Sequence, residues 1–160
     1  MEKVRDSYIR DILKSLRTID YIKPSEIPNI DLYMDQVTTF MDKHLQSSKR
    51  YDDDKLLTKT MINNYTKNNL LPSPEKKKYT KDHMYLLIFI YHMKNILSIS
   101  DIQSILNPLT EMFFGPDSKI SLEQVYEEIF RIEKEQSYEI TKDLVEKLKM
   151  SKESFPEVEK

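Results

Sequence analysis

Two groups of side chains in the middle of this chain carry its most specific chemistry. Lys59, Asn63, Thr66 and Lys67 recur at helical spacing on the face opposite Leu57, Met61 and Tyr65. Lys76, Lys77 and Lys78 follow in one run, between two prolines and Tyr79. An Asn side chain can pair with adenine through two hydrogen bonds, and a Lys can reach guanine or a phosphate. Three consecutive lysines suit sequence-independent contacts to a phosphate backbone. The same residues also describe an ordinary solvated helix face and a solvated charge run, so their setting has to decide between the two readings.

That setting is a helix, a break and a second helix. A helix is expected over Asp54–Asn68, with Leu57, Met61 and Tyr65 on its buried stripe and Ile62 at its edge. Asn68 and Asn69 can take the left-handed conformation that ends a helix where Gly is missing. Pro72 and Pro74 prevent the helix from resuming. Thr80 is expected to cap a nearly continuous apolar helix running to about Leu97, longer than a strand would be.

The stretch Thr60-Met61-Ile62-Asn63-Asn64-Tyr65, then Asn69-Leu70-Leu71-Pro72, then Lys78-Tyr79-Thr80 resembles the MerR-type DNA-binding domain. That resemblance implies a winged helix-turn-helix, with one helix reading the major groove and a short wing lying along the backbone. Departures from the family pattern are specific. Asn63 stands where that family usually has Arg, Asn64 where it has an aromatic residue or His, and Asn69 where it has Gly. The wing lacks the usual Gly-Tyr-Arg, effector-sensing cysteines have no counterpart, and no long dimerising helix is obvious. The same segment, with Leu32-Tyr33-x-Asp35-Gln36-Val37 and Leu97-Ser98-Ile99, also resembles the bacterial family DUF1836, a domain of unknown function.

The remaining elements are helical as well. Val4, Tyr8, Ile12, Leu16 and Ile19 outline a helix that ends before Pro24. Asp31–Leu45 follows, with Tyr33, Val37, Phe40 and Met41 on one face. Asp52, Asp53 and Asp54 sit where a helix N-terminus favours negative charge. Ser100 with Gln103, and Ser121 with Gln124, read as capping boxes. The first opens a helix with Ile102, Ile105, Leu106, Leu109 and Phe113 inward. The second opens Leu122–Arg131, with Leu122, Val125, Tyr126, Ile129 and Phe130 on one face, and a last helix falls near Thr141–Met150.

Composition narrows the function classes. The chain has 160 residues, 39% of them hydrophobic, with one Gly and no Cys. Disulfides, thiolate metal sites and Gly-rich phosphate loops are thereby excluded. His44, His83 and His92 are never paired at i, i+4, as a helical metal site needs. Glu127, Glu128, Glu133 and Glu135 read as a solvated helix face without the buried pairing of acid–base chemistry. The formal net charge is −2, but its distribution is uneven. Lys49–Lys81 holds nine Lys/Arg against four Asp/Glu, and Asp82–Lys160 holds nine against fifteen. A basic middle between acidic flanks is the footprint of a localised phosphate-binding surface.

The expectation is therefore an all-α protein with a MerR-like winged helix-turn-helix at residues 28–115, an N-terminal helix at 1–27 and a C-terminal helical extension at 116–160. It is expected to bind double-stranded DNA through Lys59, Asn63, Thr66, Lys67, Lys76, Lys77 and Lys78, as a regulator of transcription. No catalysis, cofactor or metal is expected. A cytoplasmic homodimer is expected, with Leu122–Arg131 either as its interface or folded back onto the helix Val4–Ile19, and no membrane association, since the longest apolar run, Met84–Tyr91, is too short to cross a bilayer. A protein-interaction module keeping the fold without binding DNA is the alternative.

Overall fold

The computed structural model describes residues 21–46, 49 and 56–154. The expected helix Val4–Ile19 and the run Asp52–Asp54 lie outside the described residues. The chain divides into two compact units, one spanning Ile22–Glu128 and the other combining Met1–Tyr21 with Ile129–Lys160.

The Ile22–Glu128 unit is mostly helical, with a small two-stranded sheet. A single 3-10 turn (Pro24–Glu26) leads to strand β1 (Leu32–Tyr33) and helix α1 (Met34–Leu45). Helix α2 (Lys59–Lys67), strand β2 (Lys78–Tyr79), helix α3 (Lys81–Met93) and helix α4 (Ile99–Phe113) follow, and then α5 (Leu122–Ser154) begins. The strands pair antiparallel, Leu32 opposite Tyr79 and Tyr33 opposite Lys78. Residues 31–33 read in sequence as the start of the α1 helix. The helix instead starts at Met34, and Leu32 and Tyr33 are drawn into the sheet, where Leu32 is buried and Tyr33 faces out at 52% exposure.

The apolar run makes α3 the centre of this unit. All nine residues from His83 to Tyr91 are buried, as expected for a helix with no polar face. Burying each Leu, Ile or Phe contributes about 1.5–3 kcal/mol. Also buried in this unit are Val37, Met41 and Leu45 of α1, Ile62 and Tyr65 of α2, and Ile102 and Leu106 of α4, the helix that packs on α3. The helix stops at Met93, short of Leu97. The cap of α4 is Ser98, whose Oγ accepts from Asp101 N–H at 3.2 Å, rather than Ser100. Ile105 is consequently 47% exposed instead of inward.

The start of α5 completes the same core. Ser121 and Gln124 form the expected reciprocal cap, with Ser121 N–H on Gln124 Oε1 at 3.0 Å and Gln124 N–H on Ser121 Oγ at 3.2 Å. Leu122 and Tyr126 are fully buried. The Tyr126 hydroxyl donates to the Ile22 carbonyl at 2.7 Å, and its ring lies 4.6 Å from that of Tyr85. These two residues are thus spent inside one chain, which corrects the expected use of the Leu122–Arg131 stripe as an interface. The two C-terminal helices expected from sequence are one, because no Gly or Pro interrupts the 33 residues of α5.

In the second unit, the Tyr21 ring stacks on Phe130 at 4.9 Å. Ser137 and Thr141 are buried, and the Thr141 hydroxyl donates to the Ser137 carbonyl at 2.7 Å. Tyr138, Ile140 and Met150 are exposed.

Candidate nucleic-acid interface

Helix α2 starts later than its periodicity implies. Leu56 and Leu57 are buried in the segment before it, and Thr58 is the cap, its Oγ1 accepting from Met61 N–H at 3.2 Å. With Leu57 off the helix, its buried residues are Ile62 and Tyr65, and Met61 is only half-buried. Lys59, Asn63 and Lys67 remain exposed on the other side. Thr66 is half-buried, and its hydroxyl donates to the Ile62 carbonyl of its own helix at 3.2 Å. That bond engages the hydroxyl proton within the helix.

The exit from α2 follows from its residues. Asn69 takes φ 55°. Leu70 N–H then reaches back to the Tyr65 carbonyl at 2.9 Å, and Asn69 N–H to the Thr66 carbonyl at 3.1 Å. This pair of bonds is a Schellman closure, with Leu70 and Tyr65 both buried beside it. The Gln103 side chain of α4 donates to the Asn68 carbonyl, occupying another orphan acceptor of the helix end.

The basic run forms a tight turn. Lys78 N–H donates to the Glu75 carbonyl at 2.8 Å, and the two residues bridge antiparallel. Lys76 and Lys77 between them have φ of 48° and 65°. Two successive positive φ values define a type I′ turn, which Asn-Gly fills most cheaply. Here two lysines hold it, and both are exposed.

His83 anchors this segment from below. The Thr80 N–H donates to His83 Nδ1 at 3.0 Å, so Nε2 carries the proton and donates to the Pro72 carbonyl at 3.2 Å. The His83 ring also meets Tyr79 and Phe114 edge-on. Burial pushes the His83 imidazole below its ordinary value, against smaller opposing effects from the Pro72 carbonyl, Asp82 and Asp31. Burial likewise raises the phenols of Tyr65 and Tyr79.

Two residues that sequence reasoning left out of the site belong to it. Asp35, in the first turn of α1, forms an ion pair with Lys59. Tyr33 lies under the Lys78 ammonium, which sits 5.4 Å from the ring centroid. Lys59 and Lys78, 19 positions apart in sequence, therefore both reach the start of α1. Lys67 lies eight residues further along α2 than Lys59, or about 12 Å along the helix axis. Among the described residues, no ion pair involves Lys67, Lys76 or Lys77, no cluster of His, Asp or Glu could hold a metal ion, and no helix is long and apolar enough to cross a membrane.

The arrangement is thus a helix with an outward amide and two ammonium groups, followed by a rigid hairpin tip bearing two more. It presents positive charge and hydrogen-bond donors. A small, mostly helical unit with a two-stranded sheet is the class that this fold defines. The family model for DUF1836, a domain of unknown function, matches residues 22–129, and the chain belongs to that family. The match has nearly the bounds of the Ile22–Glu128 unit. No curated protein and no solved structure matches the chain significantly.

Proposed function

We propose that the Ile22–Glu128 unit is a MerR-like winged helix-turn-helix that binds double-stranded DNA and regulates transcription. In this reading α2 is the recognition helix, with Asn63 towards base edges and Lys59 and Lys67 towards base edges or phosphate, and the Glu75–Lys78 turn is the wing. The observation that carries it is the pair of lysines at the turn. A non-Gly residue in the left-handed region costs roughly 1–2 kcal/mol, and a polyanionic partner gives two cations a use at that place. The order supports the same reading: a recognition-type helix, a Schellman exit, Pro72 and a hairpin pinned by His83. Thr66, whose hydroxyl proton is engaged by the Ile62 carbonyl, can accept a hydrogen bond in this interface but donates none.

One recognition helix covers only a half-site, so the proposal includes a homodimer on a two-fold symmetric target. The test is a salt titration of binding to duplex DNA of mixed sequence. DNA binding gives a straight line of log affinity against log salt, with a slope near −0.9 per phosphate contacted. No detectable binding at low salt overturns the proposal.

The alternative is a protein-interaction module on the same fold. What favours it is the apolar surface on and beside α4, where Ile96 is 82% exposed and Met112 64%, together with the net charge of −2.

A further inference from the structure

Tyr33 is a large aromatic residue held rigidly where it serves no core. Its strand neighbour Leu32 is 4% exposed, while Tyr33 is 52% exposed. Its backbone is fixed on two sides. The residue pairs with Lys78 across the sheet, and its N–H donates to Gln36 Oε1 at 2.8 Å as the N-terminal cap of α1. Its ring faces the Lys78 ammonium at 5.4 Å. Two residues later, Asp35 pairs with Lys59. The Tyr33 ring thus carries a cation from the hairpin, two positions in sequence before the carboxylate that pairs with a cation from α2.

We infer that Tyr33 is a nucleic-acid backbone contact, and that its ring positions Lys78 for a neighbouring phosphate. This rests on the DNA reading above. The chemistry is that of a phosphodiester. The phenol O–H donates to a phosphate oxygen, as Tyr side chains do at such interfaces. The ring face holds the flexible Lys78 stem, so that its ammonium is oriented before the anion arrives. The Lys59–Asp35 pair is solvent-exposed on both sides. Exposed pairs of this kind are weak, so an incoming phosphate takes over Lys59. Asp35 then remains as a repulsive charge beside it.

The test is fluorescence anisotropy on a fluorescein-labelled duplex of mixed sequence, with the full chain, across a range of salt concentrations. The proteins compared are the unaltered chain, Tyr33→Phe, Tyr33→Leu and Lys78→Ala, with a melting temperature for each. Tyr33→Phe keeps the ring, so it retains the salt slope and loses about tenfold or more in affinity, the value of one hydrogen bond to a charged group. Tyr33→Leu loses the ring as well. Its salt slope falls by about 1, as the slope of Lys78→Ala does. A residue that is merely structural lowers the melting temperature without changing that slope. Tyr33→Phe and Tyr33→Leu binding with unchanged affinity and slope overturn this inference and leave the DNA reading standing. An unaltered chain that binds no duplex at low salt overturns both.

Discussion

The Nε2–H of His83 donates to the Pro72 carbonyl at 3.2 Å, a bond between residues eleven positions apart that closes the segment carrying the lysine turn. The same ring accepts from Thr80 N–H, so one neutral imidazole both caps α3 and fastens the start of the hairpin. This arrangement needs Nδ1 unprotonated, which gives the fold a pH dependence.

Both His83 and His92 have folded values below the ordinary 6.5, each through burial first. Between the lowered value and 6.5 the unfolded chain binds more protons than the folded one, so stability rises with pH in that window. The contribution is present above about 6.5 and is lost as pH falls from there through the folded value. The melting temperature should therefore drop between pH 7.5 and pH 5.5. His83→Gln can keep the cap through its side-chain oxygen, as in a capping box. It should melt lower at pH 7.5, having lost the ring contacts with Tyr79 and Phe114, but with a flatter pH profile. A profile as steep as that of the unaltered protein would remove His83 as a cause.

Lys76 and Lys77 set stability against binding. Replacing them with Asn and Gly fits the type I′ turn and should stabilise the protein by about 1–2 kcal/mol. That corresponds to a rise in melting temperature on the order of 5 °C or more. Over the same change the salt slope of DNA binding should fall by about 2, and the affinity with it. Greater stability with unaltered DNA affinity would take the wing lysines out of the interface.

What was legible in the sequence and what was not divide along physical lines. The run Met84–Tyr91 is apolar all round, so its burial is a local property and could be read directly. The end of α2 was legible for the same reason, since Asn69 and Pro72 act through their own backbone. The face of α2 was not. Its buried stripe reads from Leu57 in the sequence, and Leu56 and Leu57 are buried in the segment before Thr58 rather than on the helix. The β1–β2 pairing joins Leu32 to Tyr79 across 47 positions, and two residues carry no period by which to announce a strand. The Lys59–Asp35 and Lys78–Tyr33 contacts are equally non-local, so Asp35 and Tyr33 joined the candidate interface only in three dimensions.

Leu87 and Ile90 are completely buried on α3. Truncating either to Ala removes most of its side chain from a packed centre, at a cost of roughly 2–5 kcal/mol. A domain of this size is usually stable by only about 5–15 kcal/mol. Urea unfolding should show a large drop in midpoint for Leu87→Ala and for Ile90→Ala. A shift of only a degree or two in melting temperature for both would place α3 at the surface.

Asp35 should restrain binding. It holds Lys59 and adds a negative charge where a phosphate would lie. Asp35→Asn should tighten binding to duplex DNA at low salt, with the difference shrinking as salt screens the charge. Stability should move slightly the other way. The lost surface pair is worth about 0–1 kcal/mol, and the lost charge in the first turn of α1 about 0.3–1 kcal/mol. Weaker DNA binding by Asp35→Asn would mean that the carboxylate orients Lys59 rather than restraining it.

The homodimer is open to a direct measurement, but not by cutting the chain after Gly115. Leu122 and Tyr126 lie beyond that point and are buried with the core of the Ile22–Glu128 unit, and the Tyr126 hydroxyl holds the Ile22 carbonyl. Removing them should unfold the unit instead of dissociating it. The exposed apolar residues later in α5 are the better target. Tyr138 is 65% exposed and Val145 40%, and their spacing of i, i+7 puts them on one stripe of the helix. Light scattering on the intact chain should give twice the monomer mass. Tyr138→Glu combined with Val145→Glu should give the monomer mass with the melting transition of the Ile22–Glu128 unit retained, because neither residue contributes to that unit's core. A dimer that survives both substitutions moves the interface off this stripe. A monomeric intact chain removes the dimer from the proposed function and leaves a single recognition helix to act on a half-site alone.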